Sequence, residues 1–174
     1  MYPTRKFEHL PQKGFTLLEL LIVTSIVLIM TSTIVLGFTG ADRNLQIRTE
    51  AERFALLIEL ARSEALQENR EMGVIVERQD YSFAVYDEET QVWQNLSEKP
   101  FHSRNLPAEM GLIANKVTEP LVIFQGDSEL PDVVIFSDGE ITPFEVELLI
   151  NDEFAHWLVS SDGLSRTQTE QTVR

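Results

Sequence analysis

A chain of 174 residues, 43% hydrophobic and 24% charged, has room for one compact domain and an appended element, not two full domains. Its net charge of −14 repels phosphate backbones, which sets nucleic acid aside as a partner. The absence of cysteine excludes disulfides, thiolate metal sites and cysteine nucleophiles, so the fold must be held by its core.

The average charge hides a partition along the chain. Residues 1–14 carry Arg5, Lys6 and Lys13 against Glu8, a net of +2. Residues 15–38 contain one ionisable side chain, Glu19, and residues 39–174 carry a net of −15. The apolar run from Phe15 to Phe38 would extend about 36 Å as a helix, enough to cross a hydrocarbon core of about 30 Å. Its β-branched residues suggest strands in water, but lipid demands internal hydrogen bonding and therefore helix. The basic start and acidic remainder predict a single pass with the amino terminus cytoplasmic.

Three readings of this segment compete. A secretory signal has a shorter apolar stretch and a small-residue cleavage site, which does not follow here. An uncleaved anchor fits length and charge but leaves Glu19 unexplained. A carboxylate in a bilayer costs on the order of 3 kcal/mol on insertion scales, less where it reaches the interface. If the chain were cut before Phe15, the new α-amine of a neighbouring copy could neutralise Glu19 within a helix bundle.

The residues Lys13-Gly14-Phe15-Thr16-Leu17-Leu18-Glu19-Leu20-Leu21-Ile22-Val23 carry that third reading. They resemble the processing site of type IV prepilins and pseudopilins. The resemblance implies cleavage after Gly14 by the membrane prepilin peptidase, N-methylation of Phe15 by the same enzyme, and a role for Glu19 in docking subunits into a filament. Glycine suits a scissile position because it lets a protease approach the backbone closely.

Beyond the apolar run, Ile47, Ala51, Phe54, Ile58, Ala61 and Ala65 recur in steps of three and four, an apolar stripe on one helix face. Arg48, Glu52, Glu59, Arg62 and Glu68 fall on the other faces. The helix is predicted to run to about residue 72, ending within Asn69–Gly73 with Gly73 as the cap. The pattern then shortens to strands. Gly73–Glu77 and Tyr81–Tyr86 read as a hairpin around Arg78–Asp80, with Gln91–Gln94 a third strand after the acidic turn 87–89. Residues 95–119 are weakly patterned. Leu121–Gln125, Val133–Phe136, Phe144–Ile150 and His156–Val159 follow, with Asp138-Gly139 and Asp162-Gly163 supplying turns. The expected class is α+β: a long amino-terminal helix packed on an antiparallel, sandwich-like head. The expected divisions are a cytoplasmic leader at 1–14, a membrane and polymerisation helix at 15–38, and a periplasmic head at 39–174.

Phe136-Ser137-Asp138-Gly139-Glu140-Ile141-Thr142-Pro143-Phe144-Glu145 resembles the S-x-G-E-x-T-P-F-E stretch of GspH-type minor pseudopilins of type II secretion systems. Gly139 is placed to take a positive φ, and Pro143 removes a ladder donor just before the strand at 144. Gly139, Glu140, Thr142, Pro143 and Phe144 are thus motif residues of the head. The resemblance implies a structural filament subunit with no catalytic activity, and no catalytic residue, cofactor or metal is expected. Its partners would be the prepilin peptidase, major and minor pseudopilins and inner-membrane lipid, and its filament would help export folded proteins across the outer membrane. One alternative is a minor pilin of a type IV pilus, FimT- or FimU-like, although the tail from Ser160 lacks the basic excess that DNA binding requires. Another is a membrane-anchored periplasmic enzyme or ligand-binding protein, which predicts a deep pocket with converging polar groups.

Searching for chemistry yields little. His9, His102 and His156 fit no hydrolase, phosphate-loop or dinucleotide motif. The oxygen-rich stretch 127–132 suits a hard cation in composition but lacks the spacing of a known calcium loop, and reads as a solvated turn. Trp93, Phe101, Phe124 and Trp157 read as core residues.

Overall fold

The computed structural model describes residues 16–116, 124, 130–150 and 155–173, the side chains of 30–43, 116, 155 and 173 excepted. The chain divides into two units, Met1–Ala41 and Asp42–Arg174. Helix α1, Leu17–Glu68, contributes to both.

In the larger unit the predicted stripe of α1 is buried along its whole length. Ile47, Ala51, Phe54, Ile58, Ala61 and Ala65 are each no more than 1% exposed. The helix ends at Glu68, short of the expected residue 72, because Asn69 turns left-handed at φ 50°. The Arg70 amide then donates to the Ala65 carbonyl at 3.1 Å, the six-to-one bond of a Schellman cap. Asparagine tolerates this conformation through its short polar side chain. Gly73 is therefore not the cap. It lies inside strand β1, Met72–Val76, opposite Ala84 and Val134, where an added Cβ would collide with the Pro131 ring.

The expected hairpin pairs β1 with β2, Asp80–Asp87, in antiparallel register from Met72↔Val85 to Val76↔Tyr81. The Glu77 amide closes it on the Asp80 carbonyl at 2.8 Å. Asp87 organises the next turn. Its carboxylate accepts the Thr90 and Glu89 amides at 3.1 and 2.9 Å and the Gln94 amide group at 2.7 Å. These bonds, the Thr90 amide foremost, hold its carboxyl below the usual range. Strand β3, Val92–Asn95, returns along β2, and the two-residue β4, Arg104–Asn105, also pairs with β2.

The weakly patterned stretch holds a strand that periodicity does not reveal. β5, Met110–Lys116, pairs with β7, Phe144–Ile150, from Met110↔Ile150 to Lys116↔Phe144. Gly111 and Asn115 interrupt its alternation, and its tertiary partners rather than its own residue types make it a strand. β6, Val133–Ile135, pairs with β1, and β8, Ala155–Ser161, with β7. β9, Gln168–Val173, is a polar edge strand on β8. The expected strand at 121–125 lies outside the described residues, apart from Phe124, which is not in a strand.

Two antiparallel sheets result. The first runs β3-β2-β1-β6, with β4 beside β2, and the second runs β5-β7-β8-β9. The helix stripe joins the inner faces of both in one core, which includes Met72, Val74, Tyr81, Phe83, Ile135, Val146, Leu148 and Val159. Trp93 and Phe101 are buried as expected. Trp93 belongs to a second cluster with Ala84 and Val134, against which half-buried Tyr86, Phe124 and Phe136 pack. Trp157 packs on the main core, with the Arg48 guanidinium 5.7 Å above its ring.

Candidate functional site

Two places were marked by the sequence, the helix start and the motif at 136–145. At the first, Gly14 and Phe15 lie outside the described residues. Thr16 is the helix N-cap: its hydroxyl accepts the Glu19 amide at 3.3 Å, and its carbonyl accepts the Glu19 and Leu20 amides at 3.1 and 3.2 Å. The spacing Thr16-x-x-Glu19 before an apolar run is a capping-box signal that the sequence reading did not use. Glu19 is exposed on the first turn of α1, among Leu17, Leu18, Leu20, Leu21 and Ile22, whose side chains are all about half or more exposed. Among the described residues no helix is long and apolar enough to cross a membrane. The side chains of residues 30–38, which complete the apolar run, lie outside them.

The second place is the crossover from the first sheet to the second. β6 leaves the first sheet and β7 enters the second, and the motif makes the connection in eight residues (136–143). The Gly139 amide donates to the Phe136 carbonyl at 3.0 Å, and the Phe136 amide to the Glu140 carbonyl at 2.8 Å. Gly139 adopts φ 86°, as its place in the turn predicts, and Asp138 accepts the Glu140 amide at 2.9 Å. Thr142 stands in for a strand partner. Its amide donates to the Val134 carbonyl at 2.8 Å, and its hydroxyl accepts the Val134 amide at 2.9 Å. Pro143 precedes β7, and Phe144 begins that strand 3% exposed in the core. Glu140 is exposed.

Two helix residues expected to face solvent instead hold this crossover and the segment that follows β8. Arg62 donates to the carbonyls of Gly139, Ser165 and Leu164, the last two at 3.0 and 3.2 Å. Glu59 accepts the amide and hydroxyl of Thr167, both at 2.8 Å. The turn between β8 and β9 is drawn against the crossover, with the Ile141 amide donating to the Gly163 carbonyl at 3.3 Å. Gly163 is at φ 94°, and a Cβ there would stand 2.6 Å from the Ile141 carbonyl oxygen. Asp162 accepts the Ser165 and Leu164 amides and the Ser165 hydroxyl, which together lower its carboxyl, the Ser165 amide most. Helical periodicity carries no sign of Arg62 or Glu59, because their partners are distant groups brought near only by the tertiary fold.

The outer face of the second sheet has a depression of about 80 Å³ lined by Glu145, Glu147, His156, Leu158 and Thr172. Ligand pockets measure roughly 300–1,000 Å³, so it accommodates a few waters rather than a substrate. His156 Nδ1 stands 3.8 Å from Glu147, too far for a hydrogen bond. Among the described residues no group of three or more histidines and carboxylates could hold a metal ion. Of the oxygen-rich stretch, residues 127–129 lie outside the described residues, and Asp132 accepts the Val76 amide at 2.8 Å, capping the end of β1.

A family profile described as "Type II transport protein GspH" matches residues 50–166, and a "Prokaryotic N-terminal methylation motif" matches residues 10–35. The chain is 32% identical over 171 residues to the type II secretion system protein H of Pseudomonas aeruginosa, covering 93% of this chain and 98% of the relative. It is 27% identical over 173 residues to the protein of that name from Aeromonas hydrophila, covering 92% and 94%. In fold it is similar to the minor pseudopilin EpsH from the type 2 secretion system of Vibrio cholerae, at TM-score 0.58 and 19% identity over 71% of this chain and 95% of that one. It is similar as well to the solution structure of GspH from Escherichia coli, at TM-score 0.53 and 22% identity over 72% and 87%.

Proposed function

The chain belongs to the GspH family of type II transport proteins, and on that premise we propose that it is a minor pseudopilin, a structural subunit of the type II secretion pseudopilus and not an enzyme. One observation carries the reading: a single chain joins an N-terminal methylation motif over 10–35 to a GspH domain over 50–166 folded as an α+β pilin head.

The finer steps of the proposal rest on the family resemblance of residues 13–23. Prepilin peptidase cuts between Gly14 and Phe15 on the cytoplasmic side and methylates the new Phe15 amine. Residues 15–38 anchor the subunit in the inner membrane in a single pass, with 39–174 in the periplasm. In the filament the apolar helix bundles with those of other pseudopilins, and Glu19 meets the positive amine of a neighbour. Exposed Leu45, Leu56 and Leu60 on α1 offer further apolar surface to such neighbours.

Mass spectrometry of the protein from membranes of peptidase-positive cells is expected to find a chain that begins at N-methylated Phe15. An intact chain beginning at Met1 would overturn the reading. Glu19→Ala is expected to leave cleavage intact while lowering recovery in sheared or cross-linked filaments. Normal assembly of that variant would remove Glu19 from the docking role.

A further inference from the structure

Among the described residues Glu50 is the charged side chain that the fold buries, at 7% exposure. It sits on α1 just before Ala51 of the stripe. One carboxylate oxygen accepts the Tyr81 hydroxyl at 3.0 Å and Arg104 Nε at 3.2 Å, and the other accepts Arg104 Nη2 at 3.2 Å. Tyr81 and Arg104 are themselves partners across β2 and β4. One helix carboxylate is thus held by two side chains of a single sheet rung. Tyr81 also meets Phe54, one turn further along the helix, edge to face at 4.8 Å.

The alanines of the helix contact discriminate poorly between seatings. Half of the stripe is alanine, at positions 51, 61 and 65, which permits close approach but looks alike from one turn to the next. Sliding the helix by four residues moves it about 6 Å and sets Gln46 or Phe54 near Arg104. Glu50 is then carried into the core without its fork of donors, and an unpaired buried charge is what a low-dielectric interior tolerates least. The Arg62 bonds to the Ser165 and Leu164 carbonyls are exposed, where water can replace a lost partner.

We propose that the Glu50–Arg104–Tyr81 cluster is a register lock, selecting among helix seatings one turn apart the single one that leaves no buried charge unpaired. A lone polar group fixes register in coiled coils by the same logic. The inference does not depend on the filament reading, although a subunit that presents both helix and head to neighbours needs a fixed offset between them.

The two tryptophans provide the test. Trp157 lies under Arg48 of the helix, whereas Trp93 packs in the second cluster with no helix residue. Indole N–H resonances of the ¹⁵N-labelled full chain in detergent micelles are expected to be single and sharp for both residues. In the variant Glu50→Met, Tyr81→Phe, Arg104→Met, the Trp157 resonance is expected to split or broaden while Trp93 stays single. Two single, sharp resonances in that variant overturn the proposal. If Trp93 collapses as well, the variant has unfolded and Glu50→Gln is read in the same way: a second Trp157 resonance supports the lock, and one sharp resonance sinks it.

Discussion

Replacing Phe54 with alanine is expected to destabilise the head by about 4 kcal/mol, near the middle of the range for deleting a buried aromatic. Phe54 is fully buried on the helix stripe. Its ring opens a chain of aromatic contacts, at 4.8 Å to Tyr81, then 6.2 Å from Tyr81 to Phe83 and 5.2 Å from Phe83 to Phe101. Its loss therefore removes both buried area and an edge-to-face pair worth roughly 1 kcal/mol. Ala51 and Ala61 on the same stripe are too small to refill the space, and the strands opposite are fixed by their ladders. Urea unfolding of the full chain in micelles, followed by near-ultraviolet circular dichroism, is the measurement. With a slope of about 2 kcal/mol per molar, the midpoint should fall by about 2 M. A fall of less than about 0.5 M on the same slope would mean that the head closes over the cavity and that the helix is not its central packing element.

What the sequence announced and what it withheld divide along a physical line. The stripe from Ile47 to Ala65 was legible because one helix face meets one core, so burial imposes its 3.6-residue period on the residue types. β7 was legible because Phe144, Val146, Leu148 and Ile150 alternate with partly exposed neighbours. β5 and β9 were not, since Gly111 blurs one pattern and β9 is polar up to Val173, both being strands by pairing rather than by composition. The cap was misplaced because glycine outranks asparagine as a terminator, while Gly73 was needed for another purpose, the close approach of Pro131. In the motif, Gly139 and Pro143 each have a local reason visible in the sequence, whereas Thr142 bonds Val134 only once the crossover forms. Arg62, which holds the Gly139 carbonyl from 77 residues away, has none. The same holds for Glu50: a glutamate beside a helix stripe reads as solvated until the fold sets Arg104 and Tyr81 against it.

That asymmetry yields the second large effect. Arg104→Ala is expected to cost about 3 kcal/mol, the low end of the range for breaking a buried ion pair by removing one partner. A surface pair would cost no more than about 1 kcal/mol, so the magnitude decides which kind of pair this is. The Arg104 side chain is 36% exposed and that of Glu50 only 9%. Deleting the arginine strands the more deeply buried partner, leaving its carboxylate with the Tyr81 hydroxyl for a donor. Deleting the carboxylate instead, as Glu50→Met, frees an arginine that can turn to water and fills the site with apolar volume, for an expected cost of about 1 kcal/mol. The Tyr81 hydroxyl, whose proton burial already holds well above its ordinary range, loses one acceptor in that case. The order of the two urea midpoints is therefore the sharper measurement, with Arg104→Ala well below Glu50→Met. The reverse order would mean that the arginine, not the glutamate, is the group the interior cannot hold alone.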